Sequence, residues 1–213
     1  MGDISDVLVI EDTPEHIEHV KSLLGDRGVV VSDYNNFLIK VAVKPKLVLS
    51  DLYFPSGYPA ESYLHKKLKD DTLAVLDDYI KLERGDGNPI AVAVNQVVSV
   101  GALGNTPKEV VKNLQLDIPG LRQQVEQRVK DADRLKTYEN LRDAIAKDEH
   151  LLPLGMFVYQ KCQELGIPAV IVTDAYHHGT EFQPFVAKVG KYFDQLVDGK
   201  KQWKAALDSK ELR

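Results

Sequence analysis

Long apolar runs are missing from this chain. No segment approaches the roughly 20 consecutive apolar residues that a membrane-spanning helix needs, which argues against a membrane protein. The opening stretch, Met1-Gly2-Asp3-Ile4-Ser5-Asp6, lacks the basic and then apolar pattern of a secretory signal. Cysteine is nearly absent: the single Cys162 has no partner for an intrachain disulfide. It falls in an apolar helical pattern and reads as a small core residue. These absences together predict a soluble protein of a reducing cytoplasm. An excess of positive charge is missing as well. With 27 Lys and Arg against 32 Asp and Glu, the net charge is −5, which argues against a surface built for nucleic-acid phosphates.

What is present is an ordinary globular balance, 44% hydrophobic and 28% charged over 213 residues, enough to bury a core. Val7-Leu8-Val9-Ile10 is a short, all-apolar, β-branched run, as a parallel strand buried on both faces requires. It stops at Glu11-Asp12. Thr13-Pro14 then reads as a helix N-cap followed by proline at the first helical position. Ile17, Val20, Leu23 and Leu24 carry that helix to Gly25–Gly28, and Val29-Val30-Val31 forms the next strand. A short helix is expected over 36–43. Leu47-Val48-Leu49-Ser50 is a third strand, running into Asp51-Leu52-Tyr53-Phe54-Pro55.

From about Ser56 the texture changes to helical stripes without a convincing strand, although Ile90 to Val100 can also be read as one. Leu64, Leu68, Leu76 and Ile80 mark one helix up to Arg84, and Gly85-Asp86-Gly87 breaks it. Asn88-Pro89 opens another through about Leu103, and Thr106-Pro107-Lys108-Glu109 has the form of a capping box. Leu121, Val125, Val129, Ala132, Leu135, Tyr138, Leu141 and Ile145 mark a long amphipathic helix. Residues 56–150 therefore read as an all-helical insertion.

After Pro153 the α/β alternation returns. A helix with Leu154, Phe157, Val158, Cys162 and Leu165 closes at Gly166. Ile167 to Val172 is a buried strand ending in Thr173-Asp174. A helical piece is expected over 185–189, a last strand over 192–197 and a last helix over 202–212. Residues 1–55 and 151–213 together make one doubly wound α/β domain of ordinary size. Ligands of such sheets sit beyond the carboxyl ends of the strands, at the switch in strand order. Three strand ends here carry Glu11-Asp12, Asp51 and Thr173-Asp174. Converging carboxylates repel one another and call for a cation, and hard oxygen donors suit Mg²⁺. An aspartate beside such an ion can attack a phosphoryl group and hold it as an acyl phosphate.

These three strand ends, in this order, resemble the receiver domain of two-component response regulators. The resemblance covers residues 1–55 and 151–213, and it implies a five-stranded, flavodoxin-like parallel sheet with the helical insertion after the third strand. It implies that Glu11, Asp12 and Asp51 hold Mg²⁺, with the backbone carbonyl of Tyr53 as a further ligand. Asp51 would be the phosphoacceptor and Thr173 would bond the phosphoryl oxygen. The implied partner is a histidine kinase or phosphotransfer protein in a phosphorelay, and the implied role is signalling rather than turnover. The helical insertion would offer a surface for a homodimer or another protein.

The sequence departs from that pattern at two places. The lysine that receivers carry after the last strand would fall on Asp198 or Gly199, with Lys200 as the nearest candidate. Asp174 stands where a small residue usually leaves room for the phosphoryl group. Two other readings stay open: a receiver-like interaction module that is never phosphorylated, and a metal-dependent phosphohydrolase. The second draws on the polar loop carrying His177, His178 and Glu181, which could line the same pocket.

Overall fold

The structure, a computed structural model, describes residues 6–84, 134–176 and 178–209. Each apolar run is a strand: β1 Val7–Ile10, β2 Gly28–Val31, β3 Leu47–Ser50 and β4 Ala169–Val172. A fifth strand, β5, is only Tyr192–Phe193. All pairings are parallel and the order is β2-β1-β3-β4-β5, compatible with a flavodoxin-like sheet. The chain steps outward from β1 to β2, then crosses back to place β3 on the other side of β1. The order therefore reverses between β1 and β3.

Helices follow the strands: α1 Pro14–Leu24, α2 Tyr34–Val41, α3 Tyr63–Arg84, α4 Gly155–Leu165 and α5 Trp203–Asp208. Residues 134–146 are helical as well. Side chains alternate along the strands. Val9, Leu49, Val170 and Val172 form one buried layer with Val20 and Leu24 of α1 and Trp203 and Ala206 of α5. Leu8, Ile10, Val48 and Ile171 are also buried, which is why these strands are apolar on both faces apart from Ser50, whose hydroxyl donates to Asp51 O at 2.7 Å. Cys162 is fully buried on α4, as its apolar setting implied.

Several local expectations shift. The helix expected over 36–43 begins earlier, because Asp33 caps it by accepting the N–H of Asn36 at 2.8 Å. Thr13 is the N-cap of α1 with Pro14 after it, but its side chain makes no cap bond. Residues 183–188 form a 3-10 helix. The last strand stops at Phe193 rather than Val197. Leu196 and Val197 lie 47% and 56% exposed, and Val197 pairs with Lys200 across a tight two-residue turn.

The chain divides into two compact units, Met1–Thr72 with Asp148–Arg213, and Leu73–Lys147. The first holds the sheet. In the second, Leu76 and Ile80 of α3 and Tyr138, Leu141 and Ile145 are buried. Arg142 pairs with Asp77 at 2.6 Å and Arg134 with Glu83 at 2.6 Å. The helices expected over 88–103, from 106 and over 121–133 lie outside the described residues.

Candidate functional site

Sheet hydrogen bonding carries the carboxylates to one place. Glu11 donates its N–H to Val31 O at 3.0 Å, and Asp51 donates its N–H to Ile10 O at 2.9 Å. Both residues thus continue the sheet one step past β1 and β3, on either side of the order reversal. One carboxylate oxygen from each of Glu11, Asp12 and Asp51 lies within 4.8 Å of the others. On the neighbouring strand, Thr173 donates its N–H to Phe193 O at 2.9 Å, and its hydroxyl accepts the N–H of Ala175 at 3.2 Å. Glu11, Asp51 and Thr173 are all buried, while Asp12 is half-buried and Asp174 exposed.

Part of the cluster's negative charge is answered from within the chain. Lys201 Nζ lies 2.8 Å from Glu11 Oε2 and 2.8 Å from Asp51 Oδ2. The lysine expected at position 200 is therefore its neighbour. Lys200 is exposed and closes the turn with Val197. The physical reason is that turn: Asp198 and Gly199 both take positive φ, 51° and 72°, the conformation of a two-residue hairpin turn. The turn reverses the chain after Val197, and Trp203, fully buried under the sheet, anchors the far side. Lys201 is thereby swung inward.

The other oxygens are engaged too. Glu11 Oε1 accepts the N–H groups of Asp12 at 3.1 Å and Thr13 at 2.9 Å, which pins the residues leading into α1. Asp51 Oδ1 accepts the N–H of Leu52 at 2.7 Å. Burial pushes the Asp51 carboxyl up to about 7, with Lys201 opposing the shift and Glu11 adding to it. Burial also raises the Asp12 carboxyl, helped by Glu11. For Lys201, burial alone would lower its value, but Asp51 and Glu11 outweigh it and hold the ammonium charged.

The chain returns to the site after the helical excursion through Gly155. Its N–H bonds to Leu52 O at 2.9 Å, and a Cβ at this position would lie 2.4 Å from Asp51 O. Only glycine lets the first turn of α4 rest on the backbone that carries Asp51. At the outgoing side Ser56 Oγ lies 2.9 Å from His65 Nδ1, and Lys69 reaches both oxygens of Asp148 at 3.0 Å.

The remaining expected residues scatter. Tyr53 offers its backbone beside Asp51, but its hydroxyl donates to the carbonyl of Glu181 at 2.5 Å. The Glu181 carboxylate lies 3.4 Å from His150 Nε2, so its charge is directed to that imidazole. His178 is exposed and packs edge-on against Tyr176, and His177 lies outside the described residues. Lys201, Gly155 and the side-chain role of Tyr53 were not found from sequence. The dipeptide Asp198-Gly199 was the available signal for Lys201, because it marks a hairpin turn rather than a strand end. No helix among the described residues is long and apolar enough to cross a membrane. Comparison with protein-family models, with curated proteins and with solved structures finds no match to this chain.

Proposed function

We propose that this chain is a receiver-type signalling domain in which Asp51 accepts a phosphoryl group from a histidine kinase or phosphotransfer protein. One observation carries the reading: buried Lys201 is bonded to both Asp51 and Glu11 at the carboxyl ends of β3 and β1, either side of the switch in strand order. That is where a doubly wound sheet binds its ligand. An Asp51 oxygen would attack the phosphorus in line while the donor's leaving group departs, giving an acyl phosphate. Lys201 would stay beside the transferred group and offset its charge, and the Thr173 hydroxyl would donate to one of its oxygens. The carboxylates of Asp12 and Asp51 and the carbonyl of Tyr53 are the hard donors that would hold Mg²⁺. When bound, that ion would draw charge from the phosphoryl oxygens. The helical excursion that follows Asp51 would present the surface for a protein partner or a second copy.

The test is incubation with acetyl phosphate, or with beryllofluoride, in the presence of Mg²⁺. Intact mass and the fluorescence of Trp203, the sole tryptophan, are the readouts. The expected result is one adduct in the wild-type chain and none in Asp51→Asn. An adduct that persists in Asp51→Asn, or none in the folded wild type, would sink the proposal.

A second reading is favoured by a specific observation. Both Asp51 oxygens already have partners, and burial pushes the carboxyl up to about 7. A site whose Asp51 is already held by its own lysine can serve as a receiver-like interaction module that is never phosphorylated. A folded wild type that takes no adduct yet binds a partner protein would select this reading.

A further inference from the structure

Tyr53 is held in a way that a backbone ligand would not require. Its hydroxyl bonds the Glu181 carbonyl at 2.5 Å. Its ring meets the edge of His150, with centroids 4.9 Å apart and planes at 68°. His150 is fixed in turn, with Nδ1 2.8 Å from Leu151 O and Nε2 3.4 Å from Glu181 Oε1. Tyr53 follows β3 and Asp51, whereas Glu181 follows β4 and Thr173. The contact therefore laces together the two loops that leave neighbouring strands at the site. At the strand ends from which these loops leave, Asp51 is 5% exposed and Thr173 is 1% exposed.

We propose that the Tyr53–Glu181 bond, backed by His150, is a strap that closes the Asp51 pocket and sets the rate at which a phosphoryl donor enters. The inference rests on the reading of Asp51 as phosphoacceptor and adds the control of access to it. A donor must reach a carboxylate that is almost wholly buried, and in this reading the two loops part before transfer and close after it. Closure would also keep water from an acyl phosphate. The strap therefore slows both the arrival of the phosphoryl group and its loss.

The experiment measures access without phosphoryl chemistry. The full chain is treated with a water-soluble carbodiimide and a small amine. The carboxyl is captured as an amide while the carbodiimide leaves as its urea, and labelling of Asp51 is followed by peptide mass mapping. Tyr53→Phe removes the hydroxyl and keeps the ring, and should label Asp51 roughly three- to tenfold faster than wild type, the shift expected from loss of one hydrogen bond. His150→Ala should give a smaller rise, and decides the matter should Tyr53→Phe fail to fold. Equal labelling rates in the folded variants and wild type would overturn the strap. Faster labelling with no phosphoryl adduct in any variant would leave the strap standing and remove the acceptor reading. An adduct at Asp51 with unchanged labelling would do the reverse.

Discussion

Replacing Lys201 by methionine removes the one positive charge bonded to two buried carboxylates while keeping length and apolar volume. The Lys201 side chain is 2% exposed, and those of Glu11 and Asp51 are 0% and 7% exposed. Taking away one member of such a buried set costs about 3–5 kcal/mol, a large share of the roughly 5–15 kcal/mol that holds a domain folded. The cost must depend on pH. Burial raises the Asp51 carboxyl from 3.8 to about 7. A carboxyl whose folded value lies above its unfolded one favours the folded state most below the unfolded value, and that stabilisation is lost as pH rises through the folded value. Without Lys201 the folded value rises further, because the main opposing charge is gone. The loss in Lys201→Met should therefore be about 3–5 kcal/mol at pH 8 and about 1 kcal/mol near pH 5, where a proton takes over the neutralising role. Urea unfolding followed by Trp203 fluorescence measures both. The combined change E11Q/D51N/K201M removes every charge of the set and should recover most of the stability lost at pH 8. An equal loss at the two pH values, or a loss under about 1 kcal/mol at pH 8, would refute the reasoning.

Asp51→Asn should flatten the stability profile: burial raises the Asp51 carboxyl above its ordinary value, so wild type should lose stability relative to the variant as pH rises from 4 to 8. Urea midpoints at the two pH values check this. Gly155→Ala would push a methyl group to 2.4 Å from Asp51 O, costing about 1–3 kcal/mol. A thermal melt within a degree of wild type would contradict it. The Cys162 thiol, pushed up to about 12 by burial, should resist a disulfide reagent in the native chain and react at once in urea. Rapid native labelling would place it at the surface.

The strands of the sheet were legible because apolar, β-branched runs bounded by turn residues leave few alternatives, and Val7–Ile10, Leu47–Ser50 and Ala169–Val172 are such runs. The acidic ends were legible for the same reason, since a carboxylate directly after a buried strand has to lie at the sheet's rim. The end of the sheet was less so. Leu196 and Val197 look like strand residues by hydropathy, yet they sit in an exposed hairpin. Apolar pattern alone does not separate a strand from the flank of a tight turn, and Lys201 was misplaced by one residue as a result. Tyr53–Glu181 and Gly155–Asp51 are contacts between distant chain segments. No local spacing encodes them.

Gly155 seals the mouth of the excursion. The outgoing chain leaves just past Pro55 and the returning chain lands on Leu52 O, while residues up to Thr72 and from Asp148 still belong to the α/β unit. Closing a flexible loop between fixed points costs only about 0.6 kcal/mol for each doubling of its length. The length of the chain between Thr72 and Asp148 therefore weighs little on closure of the α/β unit. This makes the boundary where Lys69 already meets Asp148 a natural socket: a foreign domain whose termini lie close together could be spliced between Thr72 and Asp148, leaving the α/β unit its own core.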